Sequence, residues 1–312
     1  SYRAGRFQTP NLAQLEAQAA GYGGMSALPG RLRVRNVTGD VSEFIAQEDN
    51  RHATFQVASQ FNCLEFTNPR KTPEDGITNY SWDRTQGPAC SIACGPGTAY
   101  RNYCVAVQGQ HGQTSSRQIE NLRDVEERLG GPGRFFIVQG GYTLAQDAGL
   151  RKLNDKLKEL DKDSYQALRR ALRVGVHEDV QVTSSNWGKV QLRDKEQLVT
   201  QVFGSACSVS YSGNSSGLWA PFAQLVLSAS YEATLWAGLV AALRHEGAPA
   251  AGRVFLTCIG GGVFGNELSW IVAAMQEAFE KFKHVNLTVN IVSLRGPIDP
   301  ELKQLETLFD GK

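Results

Sequence analysis

The segment Val254 to Asn266, Val-Phe-Leu-Thr-Cys-Ile-Gly-Gly-Gly-Val-Phe-Gly-Asn, constrains this chain more than any other. Its apolar start reads as a buried strand and its glycines as a turn, and the stretch from Glu267 to Phe282 has amphipathic helical spacing. A buried strand feeding a helix in this way implies a central sheet covered by helices on both faces. Glycine admits positive φ and close backbone approach. The amides of Gly260, Gly261, Gly262, Val263, Phe264, Gly265 and Asn266 can therefore converge on a phosphate or diphosphate beside a helix N-terminus. A plain strand-to-helix turn is the alternative, but four glycines in six positions exceed what a turn needs. No Gly-Lys-Ser/Thr follows, which excludes a P-loop NTPase, and the late position argues against the opening unit of a dinucleotide fold. Phe264 suits either packing against a ribose or base or plugging the space beneath the loop.

The rest of the chain supports an α/β reading. Strands are expected at 31–37, 54–58, 135–138, 199–203 and 287–294, with a long apolar helix over 222–243 and charged amphipathic helices over 150–172. Residues 1–30 read as a lead-in helix and linker, and 31–312 as the main domain with a helical insertion over 102–193. Between Thr67 and Gly97 periodicity gives way to turn residues, and a loop of that length in a compact domain is usually functional.

Composition removes several function classes. Thirty-two basic residues balance thirty-one acidic ones, so no global field favours a nucleic-acid backbone or an anionic membrane. No apolar run approaches the roughly eighteen residues of a membrane span. The six cysteines lack paired CxxC spacing and the five histidines lack ligand spacing, so free buried thiols and no metal site are expected. Sequons at Asn36, Asn79, Asn214 and Asn286 follow no signal-like segment, and a reducing, cytoplasmic setting is expected. No Gly-x-Ser-x-Gly elbow is present, which weakens a serine hydrolase reading.

Two acidic motifs remain. Asp75-Gly76-Ile77-Thr78-Asn79-Tyr80-Ser81-Trp82-Asp83, followed by Arg84-Thr85-Gln86-Gly87-Pro88-Ala89, puts two carboxylates in one irregular loop. Glycosidic cleavage through an oxocarbenium-like transition state needs a carboxylate to orient water or stabilise positive charge, often with a second nearby. Each could instead cap its own turn. Gly39-Asp40-Val41 offers a carboxylate that could accept a hydrogen bond from an exocyclic amine, or merely cap a helix near Ser42.

In this order the motifs resemble the macrodomain family from residue 31 to about 296. That resemblance implies a three-layer α/β/α fold with a mixed sheet that binds ADP-ribose. It assigns Asp40 and Val41 to adenine, Asn62, at the end of Ala58-Ser59-Gln60-Phe61-Asn62, to the distal ribose, and Gly260 to Asn266 to the diphosphate. Gln60, Gly76, Gln86 and Gly87 complete the expected ligand-binding set. Common macrodomains carry a triple-glycine loop after the Asn, whereas this chain has Cys63-Leu64-Glu65-Phe66. The Tyr-x-x-Asp-x-Thr-Gln-Gly-Pro-Ala loop is instead similar to the divergent macrodomains related to the Legionella effector MavL. This implies hydrolysis of mono-ADP-ribose from arginine with Asp75 and Asp83 catalytic, no cofactor, and a monomer acting on ubiquitin or other arginine-modified proteins. A reader module that binds without cleaving is the alternative.

Overall fold

A computed structural model describes residues 1–309. Seven strands, β1 (Arg6–Gln8), β2 (Arg33–Thr38), β3 (Thr54–Ala58), β4 (Gly175–Gln181), β5 (Leu198–Gly204), β6 (Arg253–Leu256) and β7 (Thr288–Ser293), form one sheet in the order β1-β4-β5-β3-β6-β7-β2. The run β5-β3-β6-β7-β2 is parallel, β4 is antiparallel to β5, and β1 is antiparallel to β4. The helices, in chain order, are α1 (Leu12–Gly21), α2 (Val41–Phe44), α3 (Gln86–Ala93), α4 (Gly95–Tyr103), α5 (Arg123–Arg128), α6 (Asp147–Lys158), α7 (Lys162–Arg170), α8 (Ser216–Arg244), α9 (Leu268–Phe282) and α10 (Pro300–Phe309).

Side-chain alternation along the strands divides the core into two layers, making the expected three-layer α/β/α arrangement. Val202, Val254, Leu256, Val289 and Ile291 pack with α1 and with α6 to α10. Phe55, Val57, Phe203 and Phe255 point the other way, toward Ala89 and Cys90 of α3, with the Phe55 and Phe255 rings stacked 4.4 Å apart.

The sequence expectations needed adjustment at three places. Residues 6–8 add an edge strand, and α1 buries Leu12, Leu15 and Ala19 under a capping box formed by Asn11 and Gln14, so the first thirty residues contribute to the core. The segment 102–193 carries α6 and α7, but also β4 and the hairpin Ile137–Gln139/Tyr142–Leu144. Finally, α8 is long and apolar enough to cross a membrane, contrary to expectation; its apolar window is wholly buried, so it is the central core helix between the sheet and its neighbours. All six cysteines are free, four of them buried.

Candidate functional site

The parallel strands end at a common edge, where the chain leaves β3 toward α3 on one face and leaves β5 and β6 toward α8 and α9 on the other. Divergence of neighbouring connections opens a crevice at the strand C-termini, the usual place for a ligand in α/β sheets. Two pockets of about 260 Å³ each lie there and share Thr85, Gln86 and Thr257, so they form one continuous cleft. Their combined scale suits a dinucleotide-sized ligand.

The glycine segment folds into a closed ring before α9 begins. Asn266 N donates to Gly260 O at 2.9 Å and Gly265 N to Gly262 O at 3.0 Å, and the Asn266 side chain donates to Cys207 O at 2.8 Å. The buried Tyr231 hydroxyl donates to Thr257 O (2.7 Å) and accepts from Ile259 N (3.0 Å), so α8 sets the start of the ring. Gly260 and Gly265 have φ of 73° and 74°; at Gly265 an added Cβ would collide with the Ser210 hydroxyl. Among the described residues, the N–H groups of Gly262, Val263 and Phe264 meet no protein acceptor, which makes three successive donors available to an anion. Gly260, Gly262, Val263 and Phe264 line the first pocket. Phe264 lines the cleft and packs against Tyr142 (5.3 Å) and Tyr211 (5.6 Å).

At the other end, Asp40 and Val41 line the second pocket. Asp40 is the N-cap of α2, accepting from Ser42 N at 2.8 Å, and its second oxygen accepts from the Trp187 indole at 2.7 Å. A carboxylate has about four acceptor directions, so capacity for a ligand amine remains. The Arg84 guanidinium lies 4.8 Å over the Trp187 ring, completing that wall.

The acidic loop is split by the fold. Asp83 lines the first pocket, with one oxygen accepting from Thr85 N at 3.0 Å. Asp75 lies outside both pockets: it closes a capping box with Thr72 and pairs with Lys71 at 3.6 Å. The hydrogen bond from Thr72 N, aided by Lys71, keeps its carboxyl below the usual range and hence ionised. Gly76 takes φ 77° beside it. Asn62 is buried and lines neither pocket, accepting from Leu64 N and donating to Gln118. Gln60 lines the first pocket but spends its amide on both backbone groups of Phe66. Gln86 bridges α3 to β3 through Ala58 N (2.8 Å) and Gln56 O (2.9 Å). Gly87 admits no side chain, since a Cβ there would overlap Ala58 O and the Glu65 carboxylate.

Glu65 and the tyrosines escaped the sequence reading. Glu65 is fully buried behind Gly87, one of its oxygens lacks a protein partner, and Tyr80 from the acidic loop accepts from its backbone N–H at 2.9 Å. Burial raises its pKa to about 8; the nearby Arg101 charge opposes that shift and Asp83 adds to it. Burial therefore favours the neutral form of Glu65, a second carboxyl that lies behind the cleft wall bearing Asp83. Tyr142, delivered by the 137–144 hairpin, donates to Phe66 O at 2.6 Å and lines the same wall as Tyr211. The only sequence hint of Glu65 was a carboxylate inside the apolar run Cys-Leu-Glu-Phe.

The Glu65 shift carries a stability prediction. A carboxyl protonated in the native state but ionised in the unfolded chain makes stability fall as pH rises from about 4.5 to about 8. Glu120, also raised to about 8 by burial, acts in the same window. Each group contributes a slope of up to about 1.4 kcal/mol per pH unit. In urea titrations between pH 5 and 8, Glu65→Gln is expected to flatten this decline; an unchanged slope would refute the assignment.

No protein-family model matches the sequence, and no curated protein matches it. Among solved structures, it is similar to poly(ADP-ribose) glycohydrolase from Deinococcus radiodurans in complex with ADP-ribose, at 10% identity and TM-score 0.48, covering 97% of this chain and 93% of that one. The same protein in apo form gives 12% identity, TM-score 0.48 and the same coverage. The glycohydrolase from Thermomonospora curvata bound to the inhibitor ADP-HPD gives 12%, TM-score 0.42, and coverage of 97% and 84%. Likeness this distant carries no argument about what this chain binds or cleaves.

Proposed function

We propose that the cleft binds ADP-ribose and that the protein hydrolyses the bond linking its distal ribose to a modified side chain, arginine being the preferred linkage. The observation that carries this reading is the continuity of the two pockets. One cleft holds Asp40 at one end, the Thr85-Gln86 turn at the junction, and the glycine ring together with Asp83 beyond it. An adenosine has an acceptor and an aromatic wall at Asp40 and Trp187, a diphosphate has the free amides at 262–264, and the distal ribose has Phe264, Tyr142 and Tyr211. Arginine preference rests on the resemblance of the acidic loop together with its charge.

In the proposed reaction Asp83 orients a water and accepts its proton as the new C–O bond forms at the anomeric carbon. The C–N bond breaks and its electron pair leaves with the guanidine, which takes up the proton that Asp83 had accepted. Asp75, ionised at the outer side of the loop, attracts the incoming guanidinium. Glu65, whose neutral form burial favours, adds no second negative charge beside Asp83.

The test is incubation with peptides mono-ADP-ribosylated on arginine, glutamate or serine, measuring release of ADP-ribose. Release from the arginine peptide is expected. Tight binding of ADP-ribose without release from any peptide would make the protein a reader, and absence of binding would end the proposal. Asp40→Ala should weaken ADP-ribose binding about tenfold by calorimetry, the worth of roughly one charge-assisted hydrogen bond; unchanged affinity would remove adenine from that end.

A further inference from the structure

At the sheet edge opposite the cleft, three segments remote in sequence meet. His52 precedes β3, Asp179 lies on β4, and His245 directly follows α8. One ligand-capable atom from each residue lies within 4.8 Å of those from the other two, and His245 Nε2 is 2.9 Å from Asp179 Oδ1. The imidazole rings stack with centroids 4.1 Å apart, and His52 Nδ1 is buried with no protein partner.

The backbone is bent to make this meeting. Between Val199 and Gln201 the β4–β5 register slips, so that Glu178 and Asp179 oppose Thr200 alone. Asp179 takes φ 54° there and His52 takes φ 65°, left-handed conformations that cost non-glycine residues free energy. A bulge re-aims side chains, and here both carboxylates of the bulge are held in place: Arg244 reaches Glu178 at 2.7 Å and the second oxygen of Asp179 at 2.8 Å. This leaves Asp179 Oδ1 turned toward the two imidazoles, fixed from behind as a ligating carboxylate commonly is. The other nearby cation, Arg51, is engaged by Asp194 at 2.7 Å.

We propose that His52, Asp179 and His245 bind a divalent first-row transition-metal ion, with solvent completing its coordination. Two imidazoles and one carboxylate form a donor set suited to zinc or iron(II) rather than to calcium or magnesium. Tetrahedral zinc with bonds of about 2.0–2.1 Å places ligand atoms roughly 3.4 Å apart, so the two stacked imidazoles must turn out of their stack to close the site. The ion ties the entry to β3, the bulge of β4 and the end of α8 together, which makes it a staple remote from the cleft.

Calorimetric titration of the full chain with Zn²⁺ is expected to give one site per chain and a rise in Tm that EDTA reverses. His52→Ala/His245→Ala should weaken that site at least 100-fold while leaving ADP-ribose binding at the cleft unchanged. No stoichiometric binding, or binding that survives the double substitution, would overturn the proposal. Because Cys104 is exposed, Co²⁺ provides a second readout that does not depend on the variant folding. A d–d absorption band without thiolate charge transfer supports the histidine–carboxylate site. A charge-transfer band, or no band, argues against it.

Discussion

Asp83→Ala is expected to slow release of ADP-ribose from an arginine-linked peptide by about 10²- to 10⁴-fold, the usual contribution of a positioned general base. Affinity for free ADP-ribose should stay within about threefold, since the interaction lost is one made mainly in the transition state. The expectation follows from where the loop leaves this side chain. One oxygen accepts from Thr85 N, the carboxylate borders the first pocket together with the glycine ring, and the neighbouring Glu65 is held neutral by burial. Single-turnover kinetics separates this loss from any effect on product departure. A wild-type rate in the Asp83→Ala protein would show that the cleft carboxylate is not the base. Asp75→Ala, outside the pockets, should chiefly raise KM for the arginine peptide.

The second large effect concerns stability. Arg101 on α4 is wholly buried, and its guanidinium donates to Cys63 O (3.1 Å), Ser91 Oγ (3.2 Å) and Thr98 Oγ1 (3.2 Å), meets His177 Nδ1 at 3.3 Å, and lies 3.8 Å over the Phe203 ring. It supplies the positive charge that partly offsets the burial of Glu65. Replacing it by methionine preserves volume but strands several buried acceptors in an apolar surround. Arg101→Met is expected to cost about 3–5 kcal/mol in urea unfolding, because the acceptors on Cys63, Ser91 and Thr98 are left buried without their donor at roughly 1–3 kcal/mol each. A loss below about 1 kcal/mol would mean that the network reorganises without it. The cleft should suffer as well, because Arg101 holds the turn at Cys63 from which Glu65 and Phe66 project.

Much of the scaffold was legible because local patterns coincide with it. Thr54 to Ala58 forms β3 as read, the strand, glycine ring and α9 follow one another as the residues at 254–282 require, and the apolar periodicity of 150–172 resolves into α6 and α7. Strand β4 was hidden because Val-His-Glu-Asp-Val mixes charged residues into a buried strand, tolerable only where Arg244 and Arg101 arrive from helices to partner them. The apolar length of α8 was underestimated because Glu232 and scattered Ser and Thr break the run on paper, whereas ion pairs with Arg169 and Lys281 satisfy that carboxylate inside the core.

Residue types and spacing alone determined the alternation of strand and helix, the amide-rich glycine turn, and the presence of a carboxylate-bearing loop, since each is a short-range consequence of φ/ψ preference and periodicity. Which carboxylate faces the cleft was a tertiary decision. Asp75 is drawn into its own turn by Thr72 N, Asp83 is left on the wall, and Glu65 joins it through burial behind Gly87. The reason is range: a cap or turn is settled over three or four residues, but burial, ionisation and the meeting of His52, Asp179 and His245 depend on groups brought together from across the whole chain.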